Sequence, residues 1–307
     1  MPRLGFVGKK TWALLFTSVM LFFVLPIYLK TSDGRNLPVF HGKPEDGINS
    51  KAAKFKELKE DLQSHGISTP IEKDGSNNAV PVIVPHETAE DVAIIAGKTR
   101  DDNVDWIFDF CEEFLCTPYI YTMDEDPEEN FLLPYSTNGR ESSVYLSYMI
   151  DYYDQLHPYN IFIHSREEQW HSDIAGPNTR NVLSNLRLDA VSLKGYANLR
   201  CSNDLGCPST MHQKNPLRHD LEYQYLMDEL PNLYAHFLGA DPSEAPVDIG
   251  HQCCAQFAVT SEKIQVRTKE DYLRIMEWIA TTDMSDNYGI GWLLEKLWHI
   301  FLGMPPV

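Results

Sequence analysis

The chain has 307 residues, a hydrophobic content of 43% and a formal net charge of −18, from 26 basic and 44 acidic residues. That apolar share supplies one large core or two smaller ones. The acidic surplus excludes nucleic-acid binding, because phosphate backbones are held by basic surfaces.

Residues 1–10 are a short tail. "TWALLFTSVMLFFVLPIYL", residues 11–29, carries no charge. As a helix it would span roughly 29 Å, close to the ~30 Å hydrocarbon core of a bilayer. A cleaved signal peptide is the alternative, but the run exceeds a usual apolar h-region and no A-x-A-like site follows it. The expectation is a retained anchor in the lipid bilayer. Arg3, Lys9 and Lys10 precede it and favour a cytosolic N-terminus, while Lys30, Arg35 and Lys43 lie on the other side. This implies a single-pass type II membrane protein with its domain in the lumen of the Golgi or endoplasmic reticulum.

All six cysteines (Cys111, Cys116, Cys201, Cys207, Cys253 and Cys254) follow the anchor. An oxidising lumen fits them, with Cys201–Cys207 one short-loop bridge; free thiols in a reducing compartment are the alternative. No N-x-S/T sequon supports the lumenal placement. Residues 30–88 read as a stem, rich in Gly, Pro, Ser, Asn and Lys. Its one helical pattern is "KAAKFKELKEDLQSHG", ended by Gly66.

Residues 89–307 form the globular domain. Val92 to Ala96 is a continuous apolar run, as expected of a strand buried on both faces. "DDNVDWIFDFCEEFLC" follows as a helix capped by Asp101 or Asp102, with Val104, Ile107, Phe108, Cys111 and Leu115 inward. Tyr119 to Met123 is a second strand. Tyr145, Tyr148, Met149, Tyr152 and Leu156 recur at helical spacing before Pro158, and Tyr159 to Ile163 is a third strand. Alternating strands and helices predict an α/β fold, a mainly parallel sheet flanked by helices of the Rossmann or GT-A kind. Ligands of such sheets sit at the carboxyl ends of the strands. The loops there begin at Gly97, Asp124 and His164.

The chemistry at those ends is polar. "MDEDPEE" offers an Asp-x-Asp pair, Asp124 and Asp126, that would hold Mg²⁺ or Mn²⁺ against a diphosphate; a solvated acidic turn explains it as well. After the third strand come His164, Arg166, Glu167, Glu168, His171 and Asp173. The pattern is not H-E-x-x-H, so a zinc hydrolase is disfavoured. Arg166 can meet a phosphate, and His164 or His171 can ligate, donate to or orient a ligand; loop packing around Trp170 is the plainer reading. "STNGRESS" places Arg140 and Glu141 at a helix start, where anions are attracted and acidic groups favour the macrodipole. No G-x-S-x-G, Walker loop or G-x-G-x-x-G occurs, which weakens the serine hydrolase, P-loop and dinucleotide classes.

The C-terminal third has an apolar stretch, Ala255 to Val259, then a polar turn and a helix with Tyr272, Ile275, Met276 and Ile279 inward. In "DNYGIGWLLEKLWHIFLG", Trp292, Leu293, Lys296 and His299/Ile300 follow helical spacing, with Glu295 opposite His299 at i, i+4. "GRESSVYLSYMIDYYDQL", "YNIFIHSREEQWH", "GYANLRC", "CCAQFAVTSEKI" and "GIGWLLEKLWHIFLG" together resemble an uncharacterised family, a domain of unknown function common in filamentous fungi, over about residues 90–303. No activity transfers from it. The order of a nucleotide-type half, the "FAVTSEKI" block and the "LLEKLW" helix also resembles GT-A glycosyltransferases. In those enzymes a similar strand-then-helix block shapes the acceptor side. Such enzymes carry their D-x-D after a later strand, where none is found here.

The GT-A resemblance implies a glycosyltransferase-like protein of the secretory pathway. Its sugar nucleotide would lie near Asp124, Asp126, Arg140, Glu141, His164, Arg166 and His171. A catalytic base from Asp283, Asp286 or Glu295 would act on a glycan acceptor. The alternative is a membrane-anchored binding or assembly module without turnover, using its 15 Tyr and 6 Trp for contact.

Overall fold

A computed structural model describes residues 91–307 apart from 129, 174–175, 203–210 and 213–217. The expected anchor, the stem and the Lys51–Gly66 helix lie outside the described residues, as does Cys207. Among the described residues no helix is long and apolar enough to cross a membrane.

The described chain runs β1 (Val92–Lys98), α1 (Asp105–Phe114), β2 (Thr117–Thr122), α2 (Glu141–Asp151) and β3 (Tyr159–His164). Two short helices, α3 (Thr179–Ser184) and α4 (Leu188–Lys194), lead to β4 (Tyr196–Asn198). After β5 (Met211–His212) come α5 (Gln224–Asp228), α6 (Leu230–Leu238) and β6 (Asp248–Ile249). The chain closes with β7 (Phe257–Thr260), α7 (Ser261–Ile264), α8 (Lys269–Thr281) and α9 (Asn287–Phe301).

The main sheet has five strands in the order β2-β1-β3-β7-β4. β1 pairs in parallel with β2 and with β3, as the strand–helix alternation predicts. β7 runs antiparallel between β3 and β4. The sheet is therefore mixed, with its parallel part built from the first three strands.

β1, β2, β3 and β7 are buried on both faces, and their successive side chains feed two cores. Ala93, Ile95, Tyr121, Phe162 and Phe257 face one core with α2, α8 and α9. Ile94, Ala96, Ile161, Ile163 and Ala258 face the other with Trp106, Ile107, Phe110 and Cys111 of α1. All four predicted inward residues of α8 are fully buried. Its start is a reciprocal capping box between Thr268 and Asp271.

α1 departs from expectation. Its N-cap is Val104 without a side-chain cap, because Asp102 turns instead to the Thr99 backbone N–H, 2.9 Å away. Leu115 is exposed, not inward, since it ends the helix in the left-handed conformation with φ 55°. Phe108 is half-buried, and Trp106 and Phe110 take the inner stripe. Gly97, near the end of β1, has no room for a side chain. A Cβ there would come within 2.8 Å of Met123 Sδ and 2.9 Å of Val144 Cγ2. Its bare backbone lets α2 settle close to the strand ends.

Candidate functional site

The parallel register brings three loops to one edge. Ala96 pairs with Ile163, Gly97 with His164 and Lys98 with Thr122. The polar residues after β1, β2 and β3 therefore share the carboxyl end of the sheet. The order of strand addition reverses at β1, since β2 lies on one side of it and β3 on the other. This is the switch point where open α/β sheets form a crevice. An open cleft of about 450 Å³ lies there, lined by Asp101, Asp102, Asn103, Trp106, Arg166, Glu167 and Glu168.

Arg166 Nε donates to Asp102 Oδ1 at 2.6 Å across the cleft. Asp102 is nearly buried and Arg166 largely exposed. Burial alone would raise the Asp102 pKa, but the Thr99 backbone N–H and then Arg166 hold it below the usual carboxylate value. Trp106 Nε1 donates to the Ser165 carbonyl at 2.8 Å and fixes the floor.

The acidic loop after β2 does not gather its carboxylates. Asp126 pairs with Arg100 at 3.2 Å, Glu128 with buried Lys98, and Asp124 accepts from Thr122 Oγ1 at 3.4 Å. Asp124 and Asp126, expected to share a metal, turn to separate partners. Among the described residues no group of three or more His, Cys, Asp or Glu could hold a metal ion.

A second, deeper arrangement centres on His164. Its Nδ1 lies 3.0 Å from Glu141 Oε1 and its Nε2 3.0 Å from the Cys254 carbonyl. Both partners are acceptors, so both ring nitrogens donate and the ring is an imidazolium. Burial works against that charge, but Glu141 outweighs it and raises the His164 pKa above its ordinary value. Burial likewise opposes the Glu141 carboxylate, and the His164 hydrogen bond brings it down to about 2. His171 stacks beside His164, with ring centroids 4.5 Å apart. Burial and the neighbouring imidazolium push His171 down to about 4, so it is neutral.

The segment before β7 completes this knot. Cys253 and Cys254 form a disulfide, and Cys254 and Ala255 take φ of 88° and 49°. That turn aims the Cys254 carbonyl at His164 and its N–H at Glu295 Oε1, 3.1 Å away. Gln256 Oε1 accepts from the His164 backbone N–H at 3.3 Å. Arg200 Nη1 donates to the His171 carbonyl at 3.1 Å. Fully buried Tyr145 places its hydroxyl without a hydrogen-bond partner among the described residues. Burial first, and then the charges of Glu141 and Glu295, push that hydroxyl well above its usual pKa. Two carboxylates and an unpartnered donor thus converge beside one imidazolium.

The sequence-predicted residues divide clearly. His164, His171, Glu141 and Glu295 meet in the knot. Arg166 lies in the cleft. Arg140 is the N-cap residue at the head of α2, with its Cζ 4.7 Å from the Tyr288 ring centroid. Asp283 is exposed, and Asp286 caps α9 through the Gly289 N–H at 2.8 Å. Glu295 is not a partner of His299, whose Nε2 lies 3.4 Å from the Pro306 carbonyl. Sequence reasoning missed Asp102, Trp106, Tyr145, Gln256 and the Cys253–Cys254 pair as site residues. The signal for the last two was in plain view: "CCAQ" is a polar, cysteine-rich lead-in to an apolar strand.

Fold and site together define an α/β protein with a mixed, mainly parallel five-stranded sheet and a polar centre at its carboxyl edge. The chain belongs to the family of proteins of unknown function DUF3431, whose model matches residues 94–307, from within β1 to the last residue. No curated protein and no solved structure matches the chain.

Proposed function

We propose that the protein is a sugar-nucleotide-dependent glycosyltransferase-like enzyme of the secretory pathway. The observation that carries this reading is the adjacency of two features. A cleft at the β1/β3 switch point, bridged by Asp102 and Arg166, lies at the same sheet edge as the carboxylate pair Glu141 and Glu295. The order of elements adds support, with a parallel nucleotide-type half first, then the strand-then-helix block β7–α7–α8, and then α9.

In this reading the nucleotide occupies the cleft, against the Trp106 floor, and Arg166 meets its phosphates. The Arg166–Asp102 pair opens to receive them, the exposed Arg166 turning to the phosphates while nearly buried Asp102 keeps the Thr99 N–H and hydroxyl. An acceptor hydroxyl oxygen attacks the anomeric carbon, and the bond from that carbon to the nucleoside diphosphate breaks. Glu295 takes the hydroxyl proton through the carboxylate oxygen that does not bind Cys254 N–H. Arg140 and Arg166 offset charge on the departing diphosphate. His164 keeps both nitrogens engaged and positions Glu141 and Cys254 without itself moving a proton. Residues 11–29 as a type II anchor would place this chemistry in the lumen of the Golgi or endoplasmic reticulum, where the Cys111–Cys116 and Cys253–Cys254 disulfides suit an oxidising compartment.

The test is a thermal-shift panel of nucleotide sugars on the full-length protein, with and without Mn²⁺. One nucleotide sugar should stabilise the fold, by about 2.7 kcal/mol at a hundredfold excess over Kd. Asp102→Asn and Arg166→Ala should each abolish that gain, and Mn²⁺ should not be needed. If no nucleotide sugar shifts the transition, the transferase reading fails and a non-catalytic binding module takes its place.

A further inference from the structure

The turn before β7 is covalently closed on itself. Cys253 and Cys254 are neighbours in sequence, so their disulfide encloses the peptide unit between them in a small ring. The N–Cα bond of Cys254 belongs to that ring, and its φ stands at 88°, with Ala255 next at 49°. Residues with a Cβ avoid this region, and two in succession persist only where their surroundings over-determine them.

Those surroundings are specific. Upstream, the Gln252 carbonyl accepts from Asn198 Nδ2 at 3.3 Å and lies 2.9 Å from His251 Nδ1. Downstream, the Gln256 carbonyl accepts from the Leu199 N–H at 2.9 Å, and β7 joins β3 and β4 from Phe257. Both flanks are tied to β4 and its neighbours, so the freedom of the turn is confined to residues 253–255. Within it the Cys254 backbone serves the site twice. Its carbonyl accepts from His164 Nε2 at 3.0 Å, and its N–H donates to Glu295 Oε1 at 3.1 Å. Both contacts follow the backbone orientation that the ring fixes.

The two sulfurs are not equivalent. Cys253 is 7% exposed and Cys254 2%, so exchange requires the turn to open locally and reaches Cys253 first. Arg200 Nη1 lies 3.9 Å from Cys254 Sγ, and a cation there stabilises a thiolate, which makes Cys254 the better leaving group. We propose that the Cys253–Cys254 disulfide is a redox-sensitive latch. Closed, it holds the Cys254 backbone toward His164 and Glu295; opened by a dithiol, it lets the turn relax and releases both. A thiolate of the dithiol attacks Cys253 Sγ, the S–S bond breaks, and its electron pair leaves on Cys254 Sγ, which then takes a proton. The second thiol of the reductant loses its proton and displaces Cys253 Sγ, which is protonated in turn, and the reductant departs as a cyclic disulfide. With the ring open, Cys254 and Ala255 return to negative φ. The latch is closed in an oxidising compartment and open where dithiols dominate. It rests on the transferase reading only for what a released Glu295 does to proton transfer.

The experiment is amide hydrogen exchange of the full-length protein under native conditions, before and after dithiothreitol. It is read by mass spectrometry on the peptide covering residues 251–258, with free thiols blocked first and the new ones counted by alkylation. Dithiothreitol should open the pair and speed exchange in that peptide about tenfold or more, while β1 and α8 stay protected. Cys111→Ser with Cys116→Ser should respond as wild type does, which assigns the change to the adjacent pair. Cys253→Ser with Cys254→Ser should exchange fast without reductant. Unchanged exchange after both sulfurs are alkylated would overturn the latch, as would a pair that dithiothreitol opens only in denaturant. Where a nucleotide sugar is turned over, reduction should lower kcat about tenfold or more and leave the Arg166-dependent thermal shift in place. Faster exchange with no response to any nucleotide sugar would keep the latch and remove the transferase. Unchanged exchange with that response intact would remove the latch alone.

Discussion

The rim of the cleft and the knot around His164 are built from the same materials and behave differently. Both pair a carboxylate with a cation at a strand end. At the rim the Arg166 cation is 64% exposed, although its partner Asp102 is only 7% exposed and also rests on Thr99, and outside the cleft the Arg100–Asp126 pair lies in water, with Asp126 92% exposed. In the knot, the Glu141 and His164 side chains are only 25% and 13% exposed, and His164 is held by further backbone contacts. A solvated cation such as Arg166 can turn to a ligand phosphate more cheaply than a buried one, whereas a pair with both members enclosed fixes geometry and punishes the loss of either. The molecule thus places its exchangeable charge where a ligand enters and its fixed charge where positions must be held.

The sharpest way to break this contrast is to remove one member of the buried pair. His164→Ala should leave Glu141 uncompensated beside Tyr145 and release the Cys254 carbonyl. It should cost about 3–5 kcal/mol of unfolding free energy in denaturant melts. Replacing both partners at once, with Glu141→Leu and His164→Leu, should cost less than the sum of the single changes, because no buried charge is left alone. A cost for His164→Ala no larger than that of Arg100→Ala would show the knot to be as solvated as the exposed Arg100–Asp126 pair.

A milder probe is pH. Glu141 is lowered to about 2 from an ordinary 4.5, so its contribution is full above 4.5 and lost as pH falls toward 2. His164 is raised above 6.5, so its contribution is full below 6.5 and lost as pH climbs through its folded value. His171 works in the other direction. Its pKa falls from 6.5 to about 4, so its neutral burial favours folding above 6.5 and loses ground as pH drops to 4. Unfolding free energy measured from pH 6.5 into the alkaline range should therefore decline in the wild type and flatten in His164→Gln. His171→Gln should lessen the decline between pH 6.5 and 4, to which buried His251, lowered to about 3, and His299, also lowered, contribute as well. Matching profiles in wild type and His164→Gln would sink the imidazolium assignment.

How much of this was legible in the sequence depends on where the information resides. The three parallel strands were readable because Val92–Ala96, Tyr119–Met123 and Tyr159–Ile163 are apolar runs broken by turn residues, and their shared edge comes from topology. His164, Arg166 and His171 were visible as polar residues arriving at a strand end. The choice of Glu295 over Asp283 and Asp286 was not readable. All three lie in or near α9, and only the fold shows that one faces Cys254 N–H while another serves as a helix cap. Asp102 was misassigned because an Asp before a helical pattern reads as an N-cap, whereas tertiary contact with Arg166 claims it. The dispersal of Asp124 and Asp126 was hidden for the same reason. Spacing in sequence sets proximity along the backbone, but Arg100, from another loop, decides where the Asp126 carboxylate points.

Smaller than these is the effect expected at Glu295 on stability, paired with a large one on function. Glu295→Gln keeps an oxygen acceptor for Cys254 N–H, so the melt should move by no more than about 0.5 kcal/mol. Transfer, once a donor is found, should fall by roughly 10²–10⁴-fold as the proton acceptor is lost. The smallest effect belongs to the outer rim. Arg100→Ala removes a cation from an exposed pair and should change unfolding free energy by about 0–1 kcal/mol. That residual should vanish in high salt, since screening acts on exposed charge and spares buried charge. If Arg100→Ala instead abolished the nucleotide response as fully as Arg166→Ala, the ligand would have to lie across β1 and β2, and the cleft at the switch point would lose its claim.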